Sequence, residues 1–362
     1  MRSPFDLPPS LLDDILEYTK LPAEDDHLGW FVYDFENDLK FDDHHLIEAA
    51  ECGDLGALRY VRGHGYTYTY DFIPWDRLEY NRMMFSAVRK GQTEVLKFLH
   101  EDGCRIGWFI VEQAAACNCA CLKYAYENHH NYEPHYRHFP MGPPLPMEET
   151  VYDEAMMRVH AAFEAAKELK LDCLQYLYGQ DPTSVRDVRV VRGLMCYNEG
   201  DRALECLEFL HAHGCLKHWG HMSWAARKGN IACLRYMHEN GWPWDQKVIL
   251  SAAEGSSVEC MKYAHENGCP WVTDVLLRAA EGGSVECLRY AHENGCPWVP
   301  EVMLSAAKGG SLECMKYAHE NDCPWHRETC IKARDMANFY KFVDPEKRYH
   351  ACFMYARTHG CL

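Results

Sequence analysis

Apolar and charged positions follow a helical spacing through most of this chain. In residues 287–293, Cys287, Leu288, Tyr290 and Ala291 are apolar, whereas Arg289 and Glu293 are charged. At about 100° per residue the apolar set fills one broad arc and the charged set the opposite face, which predicts an amphipathic helix. The Asn-Gly that follows, at Asn294-Gly295 and likewise at Asn240-Gly241 and Asn267-Gly268, predicts a helix stop, since glycine takes the left-handed cap without steric cost. A second, earlier helix is predicted to end at the Ala-Ala pairs Ala225-Ala226, Ala252-Ala253, Ala279-Ala280 and Ala306-Ala307. Small residues there let two helices pack closely. Thr273-Asp274 and Pro300-Glu301 suit the start of that earlier helix, where proline is tolerated and acid is favoured.

This helix-turn-helix unit recurs. Residues 252–271, 279–298 and 306–325 are near copies of one another at a period of 27 residues. Taking Cys260, Cys287 and Cys314 as anchors, the register extends to Ala57, Val95, Cys121, Cys173, Cys206, Cys233 and Cys352. An aromatic stands three residues after every anchor: Tyr60, Phe98, Tyr124, Tyr176, Phe209, Tyr236, Tyr263, Tyr290, Tyr317 and Tyr355. The chain from residue 42 to 362 is therefore expected to be all-α, a solenoid of about ten units in which each buries its apolar face against its neighbours.

The stretch AAEGGSVECLRYAHENGC at residues 279–296 resembles the ankyrin repeat: an Ala-Ala helix, a Gly-rich turn, a second helix and a closing glycine. Three departures stand out. The period is mostly 27 residues rather than the usual value of about 33, the Thr-Pro-Leu-His start is missing, and Gly-Cys-Pro-Trp replaces the run that opens a β-hairpin finger. The resemblance implies shortened hairpin loops, a protein-binding function and no catalysis. The Asn-Gly-Cys-Pro-Trp variant is similar to repeats expanded in some large DNA viruses and protists, which would place the protein in a host cell's cytoplasm.

The formal net charge of −17 disfavours nucleic acid or an anionic membrane as the main partner, because both require a dense Lys/Arg surface. No apolar run reaches membrane-spanning length, and the first residues do not form a signal peptide. Of nineteen cysteines, eight are anchors and six form a second column at Cys104, Cys215, Cys269, Cys296, Cys323 and Cys361. Ala57, Val95, Tyr66 and Trp242 fill the same columns elsewhere, a tolerance suited to packing and not to disulfides or metal ligation. Reduced thiols in a cytoplasmic or nuclear compartment are expected, without metal or cofactor. Cys117, Cys119 and Cys121 make no zinc frame, because Cys121 already belongs to the packing column.

Some segments depart from the array. Residues 1–41 carry a proline-started apolar helix with Leu7, Pro8, Leu11, Ile15 and Leu16. It resembles the first helix of an F-box, which docks on a ubiquitin-ligase adaptor; the other reading is a cap over the first repeat. An insertion near residues 127–152, rich in proline and histidine, is expected to be a loop. Arg186, Arg189 and Arg192, at i, i+3 and i+6, are expected near one helix face, either solvated or gripping an acidic partner. Residues 326–362 look like an altered capping unit.

Two further columns recur. His100, His211, His238, His265, His292 and His319 stand five residues after their anchors, placed either to sense pH or to bridge neighbouring helices. Trp244, Trp271, Trp298 and Trp325 follow proline in the inter-repeat loop, where they either offer a binding stripe or seal the repeat edge. One first-helix position varies while the second helix stays constant: at successive periods it is Trp224, Ser251, Arg278, Ser305 and Lys332. A constant frame with variable residues predicts a recognition face there and in the loops. No phosphate loop, nucleophile elbow or dinucleotide turn occurs. The expected function is a monomeric, non-enzymatic protein-interaction scaffold, with a ubiquitin-ligase substrate receptor as the alternative.

Overall fold

The computed structural model describes residues 43–64, 77–129, 154–197, 201–340 and 347–359. These form twenty α-helices, with no strand among the described residues. The F-box-like segment and almost all of the proposed insertion lie outside the described residues; residues 127–128 are the end of a helix.

Two compact units divide the chain. The first runs to Ala165 and includes Asp172–Asp181. It carries α1 (Asp43–Cys52), α2 (Leu55–Gly63), α3 (Arg77–Arg89), α4 (Thr93–Glu101), α5 (Trp108–Cys117), α6 (Cys119–Asn128), α7 (Glu154–Lys167) and α8 (Leu171–Gln180). Here α1, α3 and α5 stack in one layer and α2, α4 and α6 in another.

The second unit continues from Pro182 with α9 (Val188–Tyr197), α10 (Asp201–Ala212), α11 (Trp219–Arg227), α12 (Ile231–Glu239), α13 (Gln246–Glu254) and α14 (Val258–Glu266). It ends with α15 (Asp274–Gly282), α16 (Val285–Glu293), α17 (Glu301–Gly309), α18 (Leu312–Glu320), α19 (Thr329–Phe339) and α20 (Arg348–His359). Odd-numbered helices pack on one another in sequence, and so do even-numbered ones. The altered C-terminal unit is thus a helix pair like the others.

All ten anchors lie in the even-numbered helices and are buried. A cap explains their position. Ser257, Ser284 and Ser311 each accept a hydrogen bond from the backbone N–H of the anchor three residues on, and Asp54, Asn118 and Asn230 do the same. The helix start is therefore set by a side chain, and the anchor falls in the first turn facing inward. The predicted stop is present too. Gly241, Gly268 and Gly295 have φ of +70°, +87° and +89°, and the next N–H bonds back across the last turn, as from Cys269 to the Ala264 carbonyl at 2.9 Å.

The odd helices approach each other closely through Gly255 and Gly309. A methyl group at Gly309 would overlap the Glu281 carbonyl oxygen and come within 2.7 Å of its carbon. No helix among the described residues is long and apolar enough to cross a membrane.

Among the described residues seventeen cysteines are reduced thiols, and both cysteine columns are buried there. Burial pushes the Cys104 and Cys233 thiols up to about 12 and Cys296 to about 11, so these groups are packing elements and poor nucleophiles. The expectation that every cysteine is reduced needs one correction. Cys330, which belongs to neither column, is disulfide-bonded.

Candidate interaction surface

The histidine column is a set of bridges. In the second unit, Nδ1 of His211, His238, His265, His292 and His319 lies 2.9, 2.8, 3.1, 3.2 and 2.9 Å from the hydroxyls of Tyr236, Tyr263, Tyr290, Tyr317 and Tyr355. In the first unit His100 meets Tyr124 at 2.8 Å. Each bond links an even helix to the next even helix, so the recurring histidine of one repeat satisfies the recurring tyrosine of the following one. Burial raises the pKa of the tyrosine hydroxyls at 124, 236, 263, 290, 317 and 355. Tyrosine takes the histidine's place at Tyr178 and at Tyr126. There Tyr176 makes a ring contact at 5.8 Å, and its buried hydroxyl, pushed up to about 12, has no hydrogen-bond partner among the described residues.

The tryptophan column completes the same cluster. Trp244, Trp271 and Trp298 lie over His238, His265 and His292 at centroid distances of 4.1, 4.5 and 4.4 Å, and Trp325 meets His319 at 5.4 Å. A cation from the preceding even-numbered helix caps the tyrosine: Arg235 over Tyr263 at 5.2 Å, Lys262 over Tyr290 at 5.5 Å and Arg289 over Tyr317 at 5.3 Å. All four tryptophans are half-buried, sealing the repeat edge against the histidines.

The variable first-helix position is not uniformly exposed. Arg278 is exposed, Trp224, Ser251 and Lys332 are half-buried, and Ser305 is buried. In α13 the buried residues are Val248, Ile249, Ala252 and Ala253, which leaves Ser251 at the margin of the apolar arc and not opposite it. The three arginines also require correction. Arg186 lies in the turn before α9 and donates to the His213 carbonyl at 3.2 Å. Arg189 pairs with Asp187 at 2.9 Å, and Arg192 lies 5.2 Å from the Trp224 ring. They serve separate local contacts and make no common face.

A different set of residues reaches the surface. Among the described residues, eight large hydrophobics are exposed, and six of them cluster by position in the repeat. Trp108 and Phe109 open α5, Met156 lies in the first turn of α7, Trp219 opens α11 at 46% exposure, Ile331 lies in the first turn of α19, and Leu216, 61% exposed, precedes α11. Lys247 places its ammonium 4.0 Å from the Trp219 ring. The regular repeats carry Asp274 and Glu301 at the corresponding start. The replacement is visible in the sequence once the repeat is aligned on its anchors, because Trp108 stands thirteen residues before Cys121, as Asp274 does before Cys287 and Glu301 before Cys314, and Trp219 stands fourteen before Cys233.

No protein-family model matches the sequence, and no curated protein matches it. Among solved structures it is similar to the pentatricopeptide repeat protein PPR10 from maize, at 11% identity and a TM-score of 0.30, covering 98% of this chain and 51% of that one. The chain spans about half the length of that protein.

Proposed function

We propose that this protein is a non-catalytic scaffold of the ankyrin-repeat type that binds another protein through its inter-repeat loops and the first turns of its odd-numbered helices. The carrying observation is the exposure of Trp108, Phe109, Met156, Leu216, Trp219 and Ile331 at that one place in the repeat. Large apolar side chains in water are costly, and tryptophan anchors dominate protein interfaces. The net charge of −17 favours a protein partner over nucleic acid. The test compares partners captured by the full-length chain with those captured by Leu216→Asp/Trp219→Ala and by Trp108→Ala/Phe109→Ala. Both variants should keep wild-type helical circular dichroism. At least one should lose a defined partner, with affinity falling about 30-fold or more, as for an anchor worth about 2 kcal/mol. Unchanged capture by both, or a captured species that is nucleic acid, refutes the reading.

A further inference from the structure

The residue two places before an anchor faces the anchor of the following repeat. Thr93 illustrates this, with its hydroxyl 3.3 Å from the Cys121 sulfur. In the next repeat the same position is Cys119, and the anchor it faces is Cys173, preceded by Asp172. The two sulfurs and an Asp172 carboxylate oxygen lie within 4.8 Å of one another. Cys119 also lies 3.6 Å from the Asp172 backbone carbonyl. In the regular repeats the position holds Ile231, Val258, Val285 and Leu312, which offer no ligand atom. Among the described residues this trio is the one such group.

We propose that Cys119, Cys173 and Asp172 bind a thiophilic divalent cation of the zinc class. Two sulfurs and a carboxylate oxygen form a tetrahedral donor set, in which ligand atoms around one ion sit about 3.5–4 Å apart, within the observed separation. Cys173 is buried, Cys119 is half-buried and Asp172 is exposed, so the ion enters from solvent and keeps water as its fourth ligand. Binding replaces two S–H bonds by two metal–sulfur bonds and releases two protons, while the Asp172 carboxylate adds an oxygen lone pair. Burial, and after it the Asp172 charge, pushes the Cys119 thiol up. The bound ion ties the start of α6 to the start of α8, within the first unit.

The test titrates the reduced full-length protein with Co²⁺ and follows the thiolate-to-cobalt charge-transfer band, then displaces it with Zn²⁺. One equivalent should bind. Cys119→Val, which installs the residue found at this position in other repeats, should weaken binding at least about 100-fold, beyond the 10–100-fold typical of losing a second-shell partner. Asp172→Asn should weaken it about tenfold or more, and Cys52→Ser, at an exposed thiol in α1, should change nothing. Absence of the band in the wild type, or an undiminished band in folded Cys119→Val, overturns the proposal.

Discussion

Replacing Gly309 by alanine should open the stack between α15 and α17. The new methyl would overlap the Glu281 carbonyl oxygen and approach its carbon to 2.7 Å. Ordinary carbon–carbon contact is about 3.5–4 Å, so the two helices must separate by nearly 1 Å. The obstacle is backbone, which cannot rotate aside. Between these helices lie Val275, Leu276, Ala279 and Ala280 on one side and Val302, Met303, Ala306 and Ala307 on the other, all fully buried. A gap of about 0.5–1 Å forfeits a quarter to a half of each dispersion contact there. Overpacking of this kind costs about 1–3 kcal/mol, against a helix-propensity gain for alanine of about 1 kcal/mol at most. The expected net loss is about 1–2 kcal/mol. Gly282 occupies the same place one repeat earlier, yet the nearest atom a methyl there would meet is the Glu254 oxygen at 3.3 Å. Gly282→Ala should therefore stay within about 0.5 kcal/mol of wild type. Urea denaturation followed by circular dichroism gives both values, and hydrogen exchange should show α17 to α20 opening ahead of α11 to α15 in Gly309→Ala. Equal stability of the two variants, or a wild-type midpoint for Gly309→Ala, refutes the reasoning.

Two other outcomes follow from buried polar groups. Tyr126→His should restore the bridge to the orphaned Tyr176 hydroxyl and stabilise the protein by about 1 kcal/mol in the same urea assay. Lower stability would show that the histidine–tyrosine geometry is not transferable between repeats. Two buried groups, one in each unit, should also respond to acid with opposite sign. Burial, then the charge of Glu164, pushes Glu112 up to about 8, so stability falls as pH rises from 4.5 to 8; Glu112→Gln, whose amide oxygen can still accept from His160 Nδ1, 3.2 Å from Glu112 Oε1, should gain up to about 3 kcal/mol at pH 7. His221 is held down to about 4 by burial, so the unfolded chain takes up its proton first and stability falls by up to about 3 kcal/mol as pH drops from 6.5 to 4. His221→Phe should flatten that slope in hydrogen exchange of the second unit, and an unchanged slope would reject His221 as its source.

The helix pairs, their order and their inward faces were legible in the sequence because a helix is a local object. Periods of three and four residues, the Asn-Gly stop at Asn267-Gly268 and the proline start at Pro300 act within a single turn. Repetition then extended the reading from Cys260, Cys287 and Cys314 to ten anchors, and the recurring histidines implied bridges between neighbouring helices. What lies between repeats was decided by tertiary structure. The identity of the bridging partner, the closeness of Gly309 to Glu281, the burial of Ser305 and the meeting of Cys119 with Cys173 all depend on the rotation and translation from one unit to the next. Residue spacing does not contain those quantities. Arg186, Arg189 and Arg192 show the same limit: their spacing suggested a shared face, but α9 begins after Arg186, and each side chain found its own nearest partner. Spacing specifies which residues face inward, and packing of whole units specifies what they meet there.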